Sequence, residues 1–281
     1  MTKNAQITRL AWRLGRGVYM WARGEERWGD IARNGEAHLQ RCVIDNVAAD
    51  RALMVMDIGA NQGEWTASFL IGLSAAGRRP DHVMLHAFEP VPATVEMLRE
   101  RINCLPGNEI VQVHQQAMSD SPGQAEIGVF ADGAGTNSLH HAADARTPQE
   151  VIQVDLTTLD VFCGSFNINH IHLAKCDTEG HDFKVLKGAQ ELLQRERIDV
   201  LQFEYNHRWV FGHAFLKDVF DLVEGLPYDV ARIDEGSLTL FESWHPELDR
   251  FFQSNYALVH RRAKSWFNVH RGSFDGSNTY A

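Results

Sequence analysis

The stretch Val55–Trp65, "VMDIGANQGEW", carries an apolar run into an aspartate, then through a glycine-rich turn to a residue that opens a helical pattern. "ALMVMDI", Ala52 to Ile58, reads as a buried strand, and Trp65, Phe69, Leu70 and Leu73 recur at helical spacing. A strand that enters a helix through glycines is the geometry that offers backbone N–H groups to a ligand. A dinucleotide turn wants Gly-x-Gly-x-x-Gly. Here Gly59 and Gly63 are present, but Asn61 stands where a further glycine belongs, and Asp57 precedes the turn, where its carboxylate would repel a pyrophosphate. The next apolar run, "HVMLHAFE" (His82 to Glu89), ends in a second acid, placed to accept the two hydroxyls of a ribose lying across the strand ends. Asp57 and Glu89 together ask for a nucleoside with a cationic, phosphate-free tail. S-adenosylmethionine has that composition.

Outward from this stretch, short apolar runs alternate with helical periods, the signature of βαβ units. Pro92 opens a helix with the stripe Val91, Val95, Leu98 and Ile102, and "EIVQVHQQAM" (Glu109 to Met118) reads as a third strand. Two further strands, around 125–130 and 151–156, flank a Gly/His/Ala-rich segment long enough to be a functional loop. The strand "IHLAKCD" (Ile171 to Asp177), the helix "DFKVLKGAQELLQRE", the strand "IDVLQFEY" (Ile198 to Tyr205) and the helix "AFLKDVFDLVEGL" continue the alternation. "YDVARID", "SLTLFE" and "NYALVHR" follow with only turns between them, which predicts an antiparallel edge. The Gly/Ser/Asn-rich ending from Ser273 reads as disordered.

Bulk properties narrow the function. The 281 residues, 44% hydrophobic and 23% charged, suit one large soluble α/β domain with additions. A formal charge of -10 argues against a general nucleic-acid surface. Four widely spaced cysteines suggest neither a zinc site nor a disulfide framework, and fit a cytoplasmic setting. No transmembrane segment is present in the sequence pattern. At the start, Ile7, Leu10, Leu14, Val18 and Trp21 fall at helical spacing among Arg9, Arg13, Arg16 and Arg23. That stripe predicts a helix capping the main domain or a partner subunit, with a homodimer or peripheral contact with an anionic membrane as its other uses.

Three blocks, "MDIGANQGEWT", "HAFEPVPATVEML" and "HLAKCDTEGHDFKVLKGAQELL", followed by "IDVLQFEYN", make the chain from 53 to 261 resemble the FkbM-type S-adenosylmethionine-dependent methyltransferases. Lys175 to Asp182 is the most specific block; Asp182 stands where the family usually has glutamate. The resemblance implies a Rossmann-like class I methyltransferase fold over 51–262. Its sheet would be mostly parallel; outside the resemblance, the N-terminal helical extension over 1–50 matches no motif of the family, and a tail covers 263–281. It also implies methyl transfer to a hydroxyl on a sugar or glycoconjugate, with a polyketide or other small natural product as the alternative acceptor, and a serine near the cofactor at Ser138. A nicotinamide oxidoreductase, disfavoured by Asn61, and a cofactor-binding module without catalysis are the rivals.

Methyl transfer to an alcohol needs a base. Asp177, Glu179 and His181 cluster after the fourth strand, and Glu204, Asn206 and His207 after the fifth. Asp177 and His181 are the expected proton-handling pair, with Glu204 next; Asp177 also borders the cofactor. Met118 and Ser119 are expected beside the adenine. Asp182 reads equally as a helix cap and Glu179 as a turn residue, while His140 and His141 read as loop histidines and Trp209 as core. Carboxylates and imidazoles at one edge could hold a divalent cation, but the spacing has no tight ligand set, so no metal is assigned.

Overall fold

The computed structural model describes residues 3–23, 29–130, 137–140 and 147–280. Helices α1 (Lys3–Ala22) and α2 (Glu36–Asn46) precede strand β1 (Leu53–Ile58), followed by α3 (Glu64–Ala75), β2 (Val83–Phe88), α4 (Pro92–Asn103) and β3 (Val111–His114). Then come β4 (Ala117–Met118), β5 (Gly123–Val129), β6 (Glu150–Thr157), α5 (Leu159–Ser165), β7 (Ile171–Cys176), α6 (Asp182–Lys187), α7 (Gln190–Gln194) and β8 (Ile198–Tyr205). The chain closes with α8 (Leu216–Leu222), β9 (Tyr228–Asp234), β10 (Ser237–Phe241), β11 (Ser254–His260) and β12 (Val269–Gly272).

Nine strands form the main sheet in the order β12-β10-β9-β11-β8-β7-β1-β2-β3. β1 pairs in parallel with both β2 and β7, so the direction of winding reverses between β1 and β7. β11 runs antiparallel to β8 and β9, and β9 to β10, which gives the antiparallel edge expected from the helix-free strands. The Rossmann-like architecture is therefore present. Neighbouring residues of β1 enter cores on opposite faces of the sheet: Val55 lies with α2, α3 and α4, and Met56 with α5 to α8. Burial on both faces explains why β1 reads as one continuous apolar run rather than an alternating one.

Several boundaries differ from the sequence reading. The third strand is broken: β3 joins the main sheet, whereas β4 leaves it for a separate three-stranded sheet in the order β4-β6-β5. The helix expected after β7 is split at Gly188, where a Cβ would sit 2.0 Å from the Ser119 carbonyl oxygen. Helix α5 was not anticipated, although its cap was legible: the Thr158 hydroxyl accepts from the Val161 N–H at 3.0 Å. The ending from Ser273 is a correction as well. Phe274 and Tyr280 pack on the core beside Phe241, so these aromatics order a segment whose composition reads as disordered. Among the described residues, no helix is long and apolar enough to cross a membrane.

The reversal between β1 and β7 opens a crevice at the carboxyl ends of the strands. Gly59, at φ 75°, turns the chain there, and a Cβ on it would lie 1.9 Å from the Asp177 carbonyl oxygen. Backbone packing between two strand ends thus demands this glycine. Gly59→Ala should destabilise the fold by about 3 kcal/mol or more, since neither the backbone at Asp177 nor the dihedral can relax cheaply. Equilibrium urea unfolding measures it; a loss below about 1 kcal/mol would show that the two strand ends are not so tightly apposed.

Candidate functional site

Two adjoining cavities occupy the crevice. The first, about 140 Å³, is lined by Phe88, Pro90, Ala117, Met118, Ile127 and Leu139 on its apolar side. Glu89, Gln116, Asn137, Asp177, Thr178 and Glu179 supply its polar side. The second is a wider basin of about 400 Å³ bordered by Asn34, Glu36, Gln62, Trp65, Lys175, Glu204, Gln253 and Asn255. Gly59, Asn61, Asp177 and Glu179 line both, so the cavities meet at the ends of β1 and β7.

Glu89 sits where the sequence placed it, at the end of β2 and in the wall of the smaller cavity. Its Oε2 accepts from the Asn61 N–H at 3.1 Å and its Oε1 from the Val91 N–H at 3.0 Å. Burial pushes its carboxyl up to about 7, against the pull of those two N–H groups. Both oxygens keep lone pairs for hydroxyl donors.

Asp57, expected at the mouth, is corrected by the structure: it is fully buried and borders neither cavity. The Thr66 hydroxyl donates to its Oδ2 at 2.6 Å, and the buried Lys175 Nζ lies 3.5 Å from its Oδ1. The same ammonium is 3.5 Å from Asp177 Oδ2 and donates to the Gly59 carbonyl at 3.1 Å. Burial opposes the charge on Lys175, but Asp57, Asp177 and Glu36 outweigh it and hold the ammonium protonated. Gly63 packs on Leu98, away from the cavities.

Around the basin the carboxylates crowd one another. Glu179, itself at φ 57°, pairs with Arg208 at 2.6 Å; burial, then Asp177, pushes it up to about 8. Glu204 accepts from Asn206 Nδ2 and, at 2.7 Å, from Gln253 Nε2. Burial, followed by the charges of Asp177, Glu179 and Asp182, raises it well above the usual carboxylate range. Asp182 is a structural cap, accepting from the N–H groups of Thr178 and Gly180 at 3.3 and 3.2 Å, and burial raises it to about 7.

The structure does not bring His181 to Asp177. His181 is buried behind the cavity wall, with Nε2 2.9 Å from Ser119 Oγ and Nδ1 3.3 Å from His140 Nε2. Burial, then His140, drives its pKa down to about 3, so it is a neutral ring tying three segments together. Ser119 and Ser138 are buried beside the smaller cavity rather than in its lining; Ser138 donates to the Glu179 carbonyl at 3.2 Å. Met118 does line it, while Trp209 is core, as expected. His141 lies outside the described residues. Gln116, Asn137, Leu139 and Gln253 were not singled out from the sequence. The bend between β3 and β4 and the Gly128–Ser138 bridge put the first three in place, and neither leaves a local signal. Among the described residues, the one group with metal-ligand spacing is His170, His172 and Asp199, near the opposite ends of β7 and β8, where Asp199 already holds Arg262.

The crevice thus joins a small, largely apolar cavity that has Glu89 in its wall to a wider, acidic basin. The methyltransferase FkbM domain family matches residues 57–230, and the chain belongs to that family. Among solved structures, the methyltransferase FkbM from Methylobacillus flagellatus KT is 17% identical, with a TM-score of 0.46 over 74% of this chain and 44% of that one. The N-terminal domain of human METTL16 in complex with SAH is 11% identical, with a TM-score of 0.43 over 84% of this chain and 72% of that one. The chain therefore spans less than half the length of the Methylobacillus protein. No curated protein matches it in sequence.

Because Glu89 titrates near neutrality, a cationic nucleoside should bind the ionised site best. Its affinity should weaken as the pH falls through about 7, where the carboxyl takes up a proton that binding must then expel. Isothermal titration with S-adenosylhomocysteine, which keeps the ribose and the ammonium, tests this. Glu89→Gln should weaken binding at least about tenfold and flatten the pH dependence; an unchanged profile would remove Glu89 from the ligand's contacts.

Proposed function

We propose that the protein is a methyltransferase that uses S-adenosyl-L-methionine to methylate a hydroxyl oxygen on a sugar or glycoconjugate. The carrying observation is the charge of the smaller cavity: among its described lining residues are Glu89, Asp177 and Glu179, and no Lys, Arg or His. Such a wall suits a sulfonium nucleoside and disfavours a pyrophosphate. The residues fit the donor. Phe88, Met118, Ile127 and Leu139 would hold the adenine, Glu89 the ribose, and the Gly59–Asn61 turn with Asp177 the amino-acid end.

When bound, S-adenosylmethionine supplies a methyl group already activated on sulfur, so the protein's tasks are alignment, exclusion of water and removal of one proton. Asp177 belongs to both cavities and is the residue where donor and acceptor would meet. Glu204 faces the basin alone, and its raised pKa makes it a stronger base than an ordinary carboxylate. It would receive the acceptor's hydroxyl proton, held in place by Gln253 and Asn206. The side chains of Asn34, Gln62, Gln253 and Asn255 border the same basin and make its rim polar, which suits a hydroxyl-rich acceptor. His181, with Ser119 and His140, acts from behind by fixing the turn that carries Asp177 and Glu179.

Two measurements test the reading. S-adenosylhomocysteine at saturating concentration should raise the unfolding midpoint by roughly 5 °C and NAD should not; the reverse would end the methyl-donor assignment. With the acceptor in hand, Glu204→Gln should lower kcat about 100-fold or more while donor affinity holds. The wild-type rate should rise with pH through the Glu204 titration and the variant's should not. A variant with full activity would exclude Glu204 as the base.

A further inference from the structure

Helix α1 is built with two opposed faces. Tyr19 and Arg16 lie toward the body: the Tyr19 hydroxyl donates to Glu247 at 2.6 Å, and Arg16 sits 5.4 Å from the centre of the Phe252 ring. Arg23, one residue beyond the helix, continues that side with an ion pair to Glu247 at 3.0 Å. On the helical repeat, Ile7, Leu10, Leu14, Val18 and Trp21 fall on the opposite side. Each is between 59% and 74% exposed. Five large apolar side chains in one row are a surface built for contact, whereas singly scattered ones would need no explanation.

Charge decides what the row meets. The helix carries Arg9, Arg13 and Arg16 and no Asp or Glu, within a chain whose net charge is -10. A second copy of the helix would bring the same arginines with no acid to pair them, so a helix-on-helix dimer lacks the flanking ion pairs that select such partners. An anionic phospholipid surface complements both features, taking the apolar row into the acyl boundary and leaving Arg9 and Arg13 to reach the phosphate headgroups. Trp21, on the apolar row, is one of the amphipathic aromatics that concentrate at that depth.

We propose that α1 is an interfacial anchor that lays its apolar row on an anionic phospholipid membrane. The anchor also places the site. Phe252, on which Tyr19 and Arg16 rest, is followed directly by Gln253, whose amide holds Glu204 in the basin. A chain anchored through α1 presents the rim of that basin close to the membrane plane.

Co-sedimentation of the full chain with phosphatidylcholine vesicles, with and without phosphatidylglycerol, tests this. Binding is expected on the phosphatidylglycerol vesicles, weakening as salt is raised. Leu10→Glu and Leu14→Glu should each lower the partition coefficient about tenfold or more, and Arg9→Gln with Arg13→Gln should remove the preference for the anionic lipid. The substituted side chains are exposed, so the unfolding midpoint should stay constant and separate lost binding from lost folding. Absence of binding to both vesicles, or equal binding to both, overturns the proposal. So does a dimer in sedimentation velocity that Leu14→Glu converts to monomer, for then a second copy covers the row.

Discussion

Lys175 is the cation on which the site is organised. Its ammonium lies within 3.5 Å of both Asp57, at the end of β1, and Asp177, just past β7, and it donates to the Gly59 carbonyl between them. Two carboxylates at the ends of adjacent strands would otherwise repel across the crevice. A buried charge triad of this kind carries a desolvation cost and adds little to stability, but it fixes geometry, because each member has few acceptable alternatives in a low-dielectric interior. The backbone ladder sets the spacing of β1 and β7. Lys175 ties down the turns that leave the two strands, at the floor of both cavities, together with the contact that leaves no room for a side chain at Gly59.

One consequence is electrostatic. Lys175 is largely consumed by Asp57 and Asp177, so three other acids of the crevice, Glu89, Glu179 and Glu204, lack a comparable buried cation, apart from the Arg208 partner of Glu179. Burial is the main cause that lifts all three above the ordinary carboxylate range, Glu89 to about 7 and Glu179 to about 8. The charge of Asp57 adds for Glu89, and that of Asp177 for Glu179 and Glu204. The site is thus anionic yet proton-accepting, a combination that a surface cluster of the same residues in water would lack. The inserted sheet of β4, β5 and β6 adds the apolar wall that confines one end of the crevice, while Asn34, Gln253 and Asn255 make the other end polar.

Local pattern carried much of this. The apolar run into Asp57, the Gly59–Gly63 turn and the helix after it were readable because strand and helix periods change abruptly at a glycine. Glu89, Asp177 and Glu204 were readable because an acid at a strand's carboxyl end has a predictable edge. The exposure of Asp57 was not, since whether an acid faces a ligand or a buried lysine depends on a residue 118 positions away across the sheet. The partners of His181 were hidden for the same reason: Ser119 and His140 reach it from segments that become neighbours only after folding.

The order of strands and helices, the acidic strand ends and the two-faced N-terminal helix are properties of the sequence itself. Each rests on periodicity or on a residue's place relative to its own element, and such information is local. Tertiary structure decided which acid is buried, which is raised toward neutrality and which imidazole is withheld from the cavity, as well as the breaking of the third strand and the docking of Phe274 and Tyr280. Those outcomes depend on desolvation and on contacts between distant segments, and neither quantity exists until the chain has closed around the crevice.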